Sequence, residues 1–280
     1  MKKIYVSADF EGAVGVVDPR QCTAGHPWFD TGRRLWTADV NAAVEGALEG
    51  GAAQVVVNEA HAEMNYLDPE CLHPQASLIS GYVKVNNQME GLDGSFSGAI
   101  AMGHAQAGTP QGVLAHTYVM RELIEIRING RPVGEFGMAS LWAAVYGVPM
   151  ILAIGDERYC EEARSTAPGI ETVVVKKGLA QFSAHHLPVN EARSQIRQAA
   201  MLAVSRCGEI KPVLLPEQLR MEIEFTQPQS ADLCAFIPTV ERVDGRTIAF
   251  ESVDYRKLQQ LRIVCTNLAL VVGQTYFSGR

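Results

Sequence analysis

A three-layer α/β/α fold with a mostly parallel sheet, followed by a smaller C-terminal α+β unit, is what the sequence predicts. Short apolar runs recur at residues 4–8, 54–58, 99–103 and 148–154, and each reads as a buried strand. Helical spacing fills several of the intervals, and strands that alternate with helices build a parallel sheet covered on both faces. Hairpin signals appear in the middle of the chain and again in its last third.

The first run, IYVSADFEG, carries an apolar strand into two carboxylates, Asp9 and Glu11. Side chains at i and i+2 of a strand share a face, so both point to one place at the strand's C-terminal end. Residues 33–49 set Leu35, Val40, Ala43, Val44 and Ala47 near helical spacing and stop at Gly50 and Gly51. Residues 123–133 alternate about Asn129-Gly130, the signal of a tight hairpin. A helix at 190–206 is broken by KPVLLP at 211–216, and a domain boundary is expected there, dividing residues 1–210 from residues 211–280. Beyond it, 221–225 alternates as a strand, 240–252 reads as a hairpin turned at Asp244-Gly245, and 255–276 is helical.

Composition narrows the function. A chain of 280 residues, 47% hydrophobic and 20% charged, is an ordinary globular composition with a sizeable core. A formal net charge of -7 and the lack of any Lys/Arg block argue against nucleic acid as a partner, since phosphate recognition needs a basic field. Six cysteines at 22, 71, 160, 207, 234 and 265 form no CxxC pair and read as free thiols of a reducing compartment. The opening MKK resembles the start of a signal peptide, yet Asp9 and Glu11 interrupt it before an apolar stretch can form. With no 18-residue apolar run either, a cytoplasmic protein with no membrane association is expected.

Two carboxylates side by side repel, and burial of each costs about several kcal/mol unless positive charge answers them. His61, His104 and His116 each follow a run that reads as a strand, and Glu135 follows the predicted hairpin. In open α/β sheets the binding crevice lies outside the carboxyl ends of the strands, so these residues are expected to converge there with Asp9 and Glu11. Carboxylate oxygen with imidazole nitrogen suits zinc or a similar divalent ion. The donor set exceeds the three protein ligands of a single catalytic zinc, and two metals sharing a carboxylate would use the surplus. Such a pair activates water and polarises a carbonyl, which favours a hydrolase.

The segments SADFEG, NEAHAEMN, LISGYVK, EGLDGSFSGA, MGHAQAGTPQGVLAHT and INGRPVGEFG stand in the order and spacing of the DppA-type D-aminopeptidases, the M55 family of metallopeptidases. This resemblance is close from residue 3 to about 160 and looser to the C-terminus. It implies a dinuclear zinc aminopeptidase, with two zinc ions per subunit, that removes an N-terminal residue, typically D-alanine, from short peptides. By the same resemblance Asp9 is the bridging ligand, Glu11 and His61 complete one site, and His104 and Glu135 complete the other. His116 matches the catalytic histidine beside the metals, where imidazole can shuttle a proton near neutral pH. Similar enzymes form ring-like homo-oligomers, commonly decamers. This chain departs from the family pattern near Gln111, where the loop between His104 and His116 is one residue longer, and before His104, where it is one shorter; both changes bear on substrate preference.

Other residues weigh less. Lys84 and Asn65 are candidate substrate contacts, by pairing with a peptide carboxylate or donating to a carbonyl. Glu59 and Glu63 flank His61 and are candidates to orient its second nitrogen. His26, His73, His185 and His186 read as residues without chemistry. No Walker-type loop and no GxSxG elbow is present. Two other functions remain open at this level: an amidohydrolase or phosphoesterase built on the same metals, or a non-catalytic peptide-binding accessory of a transporter.

Overall fold

The computed structural model describes residues 1–277, and the fold follows the alternating pattern. In chain order the elements are β1 (Lys2–Ala8), α1 (Phe29–Glu49), β2 (Ala52–Glu59), β3 (Ala76–Ile79), β4 (Gly98–Gly103), β5 (Leu123–Ile128), β6 (Arg131–Pro132), α2 (Glu135–Val145), β7 (Met150–Asp156) and α3 (Glu157–Thr166). There follow β8 (Glu171–Ala180), β9 (Ser183–His186), α4 (Val189–Ser205), β10 (Leu219–Phe225), α5 (Pro228–Cys234), β11 (Glu241–Arg242), β12 (Thr247–Ser252) and α6 (Tyr255–Phe277).

The main sheet has seven strands in the order β3-β2-β1-β4-β7-β8-β9, parallel except for β9, which returns antiparallel along β8. Its residues alternate between two cores. Ile4, Val6 and Ala8 of β1 pack under α1 and α4, whereas Tyr5 faces the opposite core with α2 and α3. On that second face a five-stranded antiparallel sheet, β11-β12-β10-β5-β6, packs with α6. Residues 211–280 supply three of its strands, and β5 and β6 come from the middle of the chain.

The sequence does not announce every element. Strand β3 is four residues at an edge, and α3, ERYCEEARST, has too few apolar positions for helical spacing to show. The 138–146 stripe, read as core, is core: it lies in α2, whose Met138, Trp142 and Ala143 are buried. His116 differs from expectation. It follows no strand but sits in an irregular loop between β4 and β5, so GVLA is buried for another reason: Val113 and Leu114 insert into the core beside α1.

Strand order reverses between β1 and β4, since β2 and β3 extend the sheet one way and β7 and β8 the other. A crevice opens at such a switch point. Its floor is tied down: the Asp9 amide donates to Met102 O at 3.1 Å, and Ala60 N donates to Ala8 O at 2.9 Å. Among the described residues no helix is long and apolar enough to cross a membrane.

Candidate metal centre

Asp9 leaves β1 at the switch point and caps the short 3-10 turn of Phe10–Gly12 by accepting the Phe10 N–H at 2.9 Å. The turn presses against the end of β4, where a Cβ on Gly12 would overlap the Met102 side chain and the Gly103 backbone, so only glycine fits. Glu11 is thereby folded back beside Asp9, and both are buried. Strand β2 lies to one side and delivers His61, while β4 lies to the other and delivers His104. Glu135 arrives from the second layer as the first residue of α2, where the helix N-terminus favours its negative charge.

The five side chains meet. His61 Nδ1 lies 3.3 Å from Asp9 Oδ1 and 2.8 Å from Glu11 Oε2, and His104 Nε2 lies 3.4 Å from Asp9 Oδ2 and 3.5 Å from Glu135 Oε1. The two oxygens of Asp9 are thus divided between the two histidines. Each imidazole is fixed from behind: His61 Nε2 is 3.1 Å from Cys22 O, and His104 Nδ1 is 3.0 Å from Ala105 O. A carbonyl can only accept, so the far nitrogen carries a hydrogen, and the near one, turned to the carboxylates, is left to take up a proton or a metal ion. The Cys22 carbonyl therefore does what Glu59 and Glu63 were expected to do. Glu59 instead accepts from the backbone N–H groups of Tyr66 and Leu67.

Despite their short contacts, Glu11 Oε2 and His104 Nε2 are buried and have no partner at a proper hydrogen-bonding angle. Buried atoms of this kind cost free energy unless something else satisfies them, and acceptors converging on one point are what a cation requires. The electrostatics agree. Burial pushes both imidazoles down, yet Glu11 and Asp9 hold His61, and Asp9 and Glu135 hold His104, well above the ordinary histidine range. Against burial, the same imidazoles keep Asp9 and Glu135 below the usual carboxylate range. Such a cluster draws positive charge, as protons on the rings or as divalent ions. The donor chemistry fits the ions.

Residues invisible to sequence reasoning join the centre. Cys22, a lone cysteine with no spacing signal, brings its thiol into reach of Glu11 and His61, and burial with the Glu11 charge keeps it protonated. The Tyr118 N–H donates to Glu135 Oε1 at 2.7 Å, and Gln88 Nε2 donates to Glu135 O at 3.1 Å. Lys176 is buried, and its Nζ donates to the carbonyls of Glu11, Ala13 and Val16, bracing the turn that carries Glu11. A buried lysine shows in sequence only as a charge within an apolar strand, VVVKK.

His116 stands beside the cluster, its ring stacked on His104 and its Nδ1 2.7 Å from Leu114 O. Lys84 lines the same cavity, but its ammonium donates to Asn58 Oδ1, Glu59 O and Ile79 O, which engages its three hydrogens. Asn65 is exposed and does not line the cavity. The cavity holds about 490 Å³ and runs from Asp9, His61 and Glu135 to α6, which contributes Arg262, Thr266 and Asn267.

Known proteins carry the same arrangement of chain. A family model described as D-aminopeptidase, peptidase family M55, matches residues 1–263. A D-aminopeptidase of Bacillus subtilis (strain 168) is 34% identical over 270 residues, covering 96% of this chain and 98% of that protein. A solved structure described as the Zn-dependent D-aminopeptidase DppA from Bacillus subtilis, a self-compartmentalizing protease, superposes with a TM-score of 0.92 at 33% identity, over 96% of this chain and 98% of that one.

Proposed function

The chain belongs to the D-aminopeptidase family, peptidase family M55, and on that premise we propose that it is a zinc-dependent aminopeptidase that removes a D-residue, D-alanine foremost, from the N-terminus of short peptides. We assign it two zinc ions, with Asp9 as the shared ligand, Glu11 and His61 on one ion, and His104 and Glu135 on the other. The division of the two Asp9 oxygens between two back-anchored histidines carries this reading. A carboxylate placed between two imidazoles suits a bridge better than a single closed site.

Bound zinc supplies an activated water and polarises the scissile carbonyl. The rest falls to the chain's own residues. Asp9 and Glu135 would be taken up in holding the ions, and the cavity beside them receives the N-terminal end of the substrate. His116, with Nδ1–H held by Leu114 O, has Nε2 left to accept a proton from the attacking water and return it to the departing amine. Burial and the neighbouring His104 push its pKa down, so it is a neutral base near pH 7. A cavity of about 490 Å³ has room for a substrate of a few residues. We take Lys84, with its hydrogens engaged, as a brace for the cavity wall.

We place the chain in a homo-oligomer, ring-like and of decamer size. The relative described as self-compartmentalizing supports this, as do Leu179 and Phe182, which stand 65% and 51% exposed at the β8–β9 hairpin. The test of the whole reading is direct: assay purified protein for bound metal, then offer D-alanyl and L-alanyl dipeptides and a generic phosphodiester, with and without chelator. Release of D-alanine that chelator abolishes and zinc restores is expected. Turnover of the phosphodiester alone, or peptide binding without cleavage, overturns it.

A further inference from the structure

Arg262 of α6 is 1% exposed and lines the cavity that holds Asp9, His116 and Glu135. Its guanidinium lies over the Tyr118 ring, 3.7 Å from the centroid, and its Nε donates to Gln259 Oε1 at 2.9 Å. Among the described residues no carboxylate pairs with it, in contrast to the exposed Arg20 and Arg197 and the half-buried Arg158 and Arg220, each of which has an acidic partner. A desolvated cation without a counter-charge is costly to maintain. The other buried cations, Lys84 and Lys176, are each surrounded by three oxygen acceptors. Arg262 stands apart from them, and it opens on a cavity.

Resting on the aminopeptidase reading, we propose that Arg262 binds the C-terminal carboxylate of the peptide and so sets the enzyme's preference for dipeptides with a free acid end. The geometry supports a fixed reader. Tyr118, on which the guanidinium stacks, donates its own N–H to Glu135, so the cation is one residue removed from the metal centre. Stacking holds the planar fork in one orientation, and the bond to Gln259 fixes its Nε edge, which suits two-point recognition of a carboxylate. The cavity then runs from the metal-binding residues at one end to Arg262 at the other. A short peptide can span both, with its N-terminal end at the centre and its carboxylate on the guanidinium.

The test compares D-alanyl-D-alanine with its C-terminal amide, on metal-loaded wild-type protein and on R262Q and R262K. Wild type is expected to favour the acid by about 10²-fold in kcat/KM, the scale of a lost buried charge pair. R262Q should raise KM for the acid and bring the acid-to-amide ratio towards one, with kcat for the acid changing far less. R262K should recover part of the ratio, because it keeps charge without the fork. Equal rates on acid and amide in wild type, or a fall in kcat rather than a rise in KM, overturns the assignment. Calorimetry on metal-free wild-type protein reads the same contact without turnover, and tighter binding of the acid is expected. Equal binding of the two, or none of either, also overturns it. If the loaded enzyme cleaves neither peptide the aminopeptidase reading fails, while the calorimetric comparison still decides the role of Arg262.

Discussion

His104 and His116 stack face to face, with ring centroids 3.9 Å apart and planes inclined by 9°. Two imidazoles in such contact cannot both carry charge cheaply. His104 is turned to Asp9 and Glu135, and burial together with His104 keeps His116 neutral. His116→Ala should therefore leave bound zinc in place and lower kcat by about 10² to 10⁴-fold, the usual share of general acid-base catalysis. Metal content and kcat measured on the same preparation check this; lost metal would make His116 a ligand.

Asp9 touches both histidines, so on the proposed two-zinc assignment its removal should be felt at both ions. Asp9→Ala is expected to bind less than one zinc per subunit and to lose activity by about 10³-fold or more, given several kcat-relevant kcal/mol from the metals. Glu11→Ala should release one ion preferentially. A stoichiometry that falls equally in both variants would contradict the bridging role.

Lys176→Met removes the donor shared by the carbonyls of Glu11, Ala13 and Val16. Unpaired buried acceptors cost about 1 to 3 kcal/mol each, partly offset because a desolvated charge is also removed. A net loss of about 2 to 5 kcal/mol is expected in urea unfolding, with zinc affinity reduced about 10 to 100-fold as the turn carrying Glu11 loosens. Unchanged zinc affinity would confine Lys176 to stability alone.

Asp39 of α1 sets a pH dependence away from the metals. It is fully buried, accepts from Val14 N at 2.8 Å and pairs with Arg193 at 3.1 Å. Burial outweighs these partners and pushes its pKa up to about 6, from 3.8 in the unfolded chain. Between those values the folded state holds the extra proton, so stability is full below about pH 4 and declines as pH rises through 6. The loss amounts to about 3 kcal/mol at most. Unfolding of chelated protein at pH 4 and pH 7 checks it: the difference between wild type and Asp39→Asn should shift against wild type by up to that amount. A difference that does not change with pH would show that Asp39 is ionised throughout.

Much of the centre was legible because local order encodes it. Asp9 and Glu11 stand at the end of an apolar run, and His61 and His104 follow two more, so β1, β2 and β4 needed only to be neighbours for the residues to meet. Glu135 was legible as the residue after a hairpin, although its place at the start of α2 was not. His116 was found by motif and misplaced by structure, since nothing in GVLA distinguishes a strand from a loop that plugs the core. Lys84 drew attention by its motif, yet three oxygens of the chain itself engage it.

The alternation of strands with helices, and the carboxylates and histidines placed at or just beyond strand ends, were written in the sequence by itself, because each depends on residues close together in the chain. Tertiary structure alone decided the order of the strands, how the oxygens of Asp9 are shared, which backbone carbonyl holds each imidazole, and that Arg262, 146 residues beyond His116 and 127 beyond Glu135 in the chain, shares their cavity. Hydrogen bonds to main-chain carbonyls and contacts between remote helices leave no periodicity in a sequence; the former wait on the loops around the main sheet, and the latter on the pairing of β5 with the C-terminal strands, which brings α6 to the cavity.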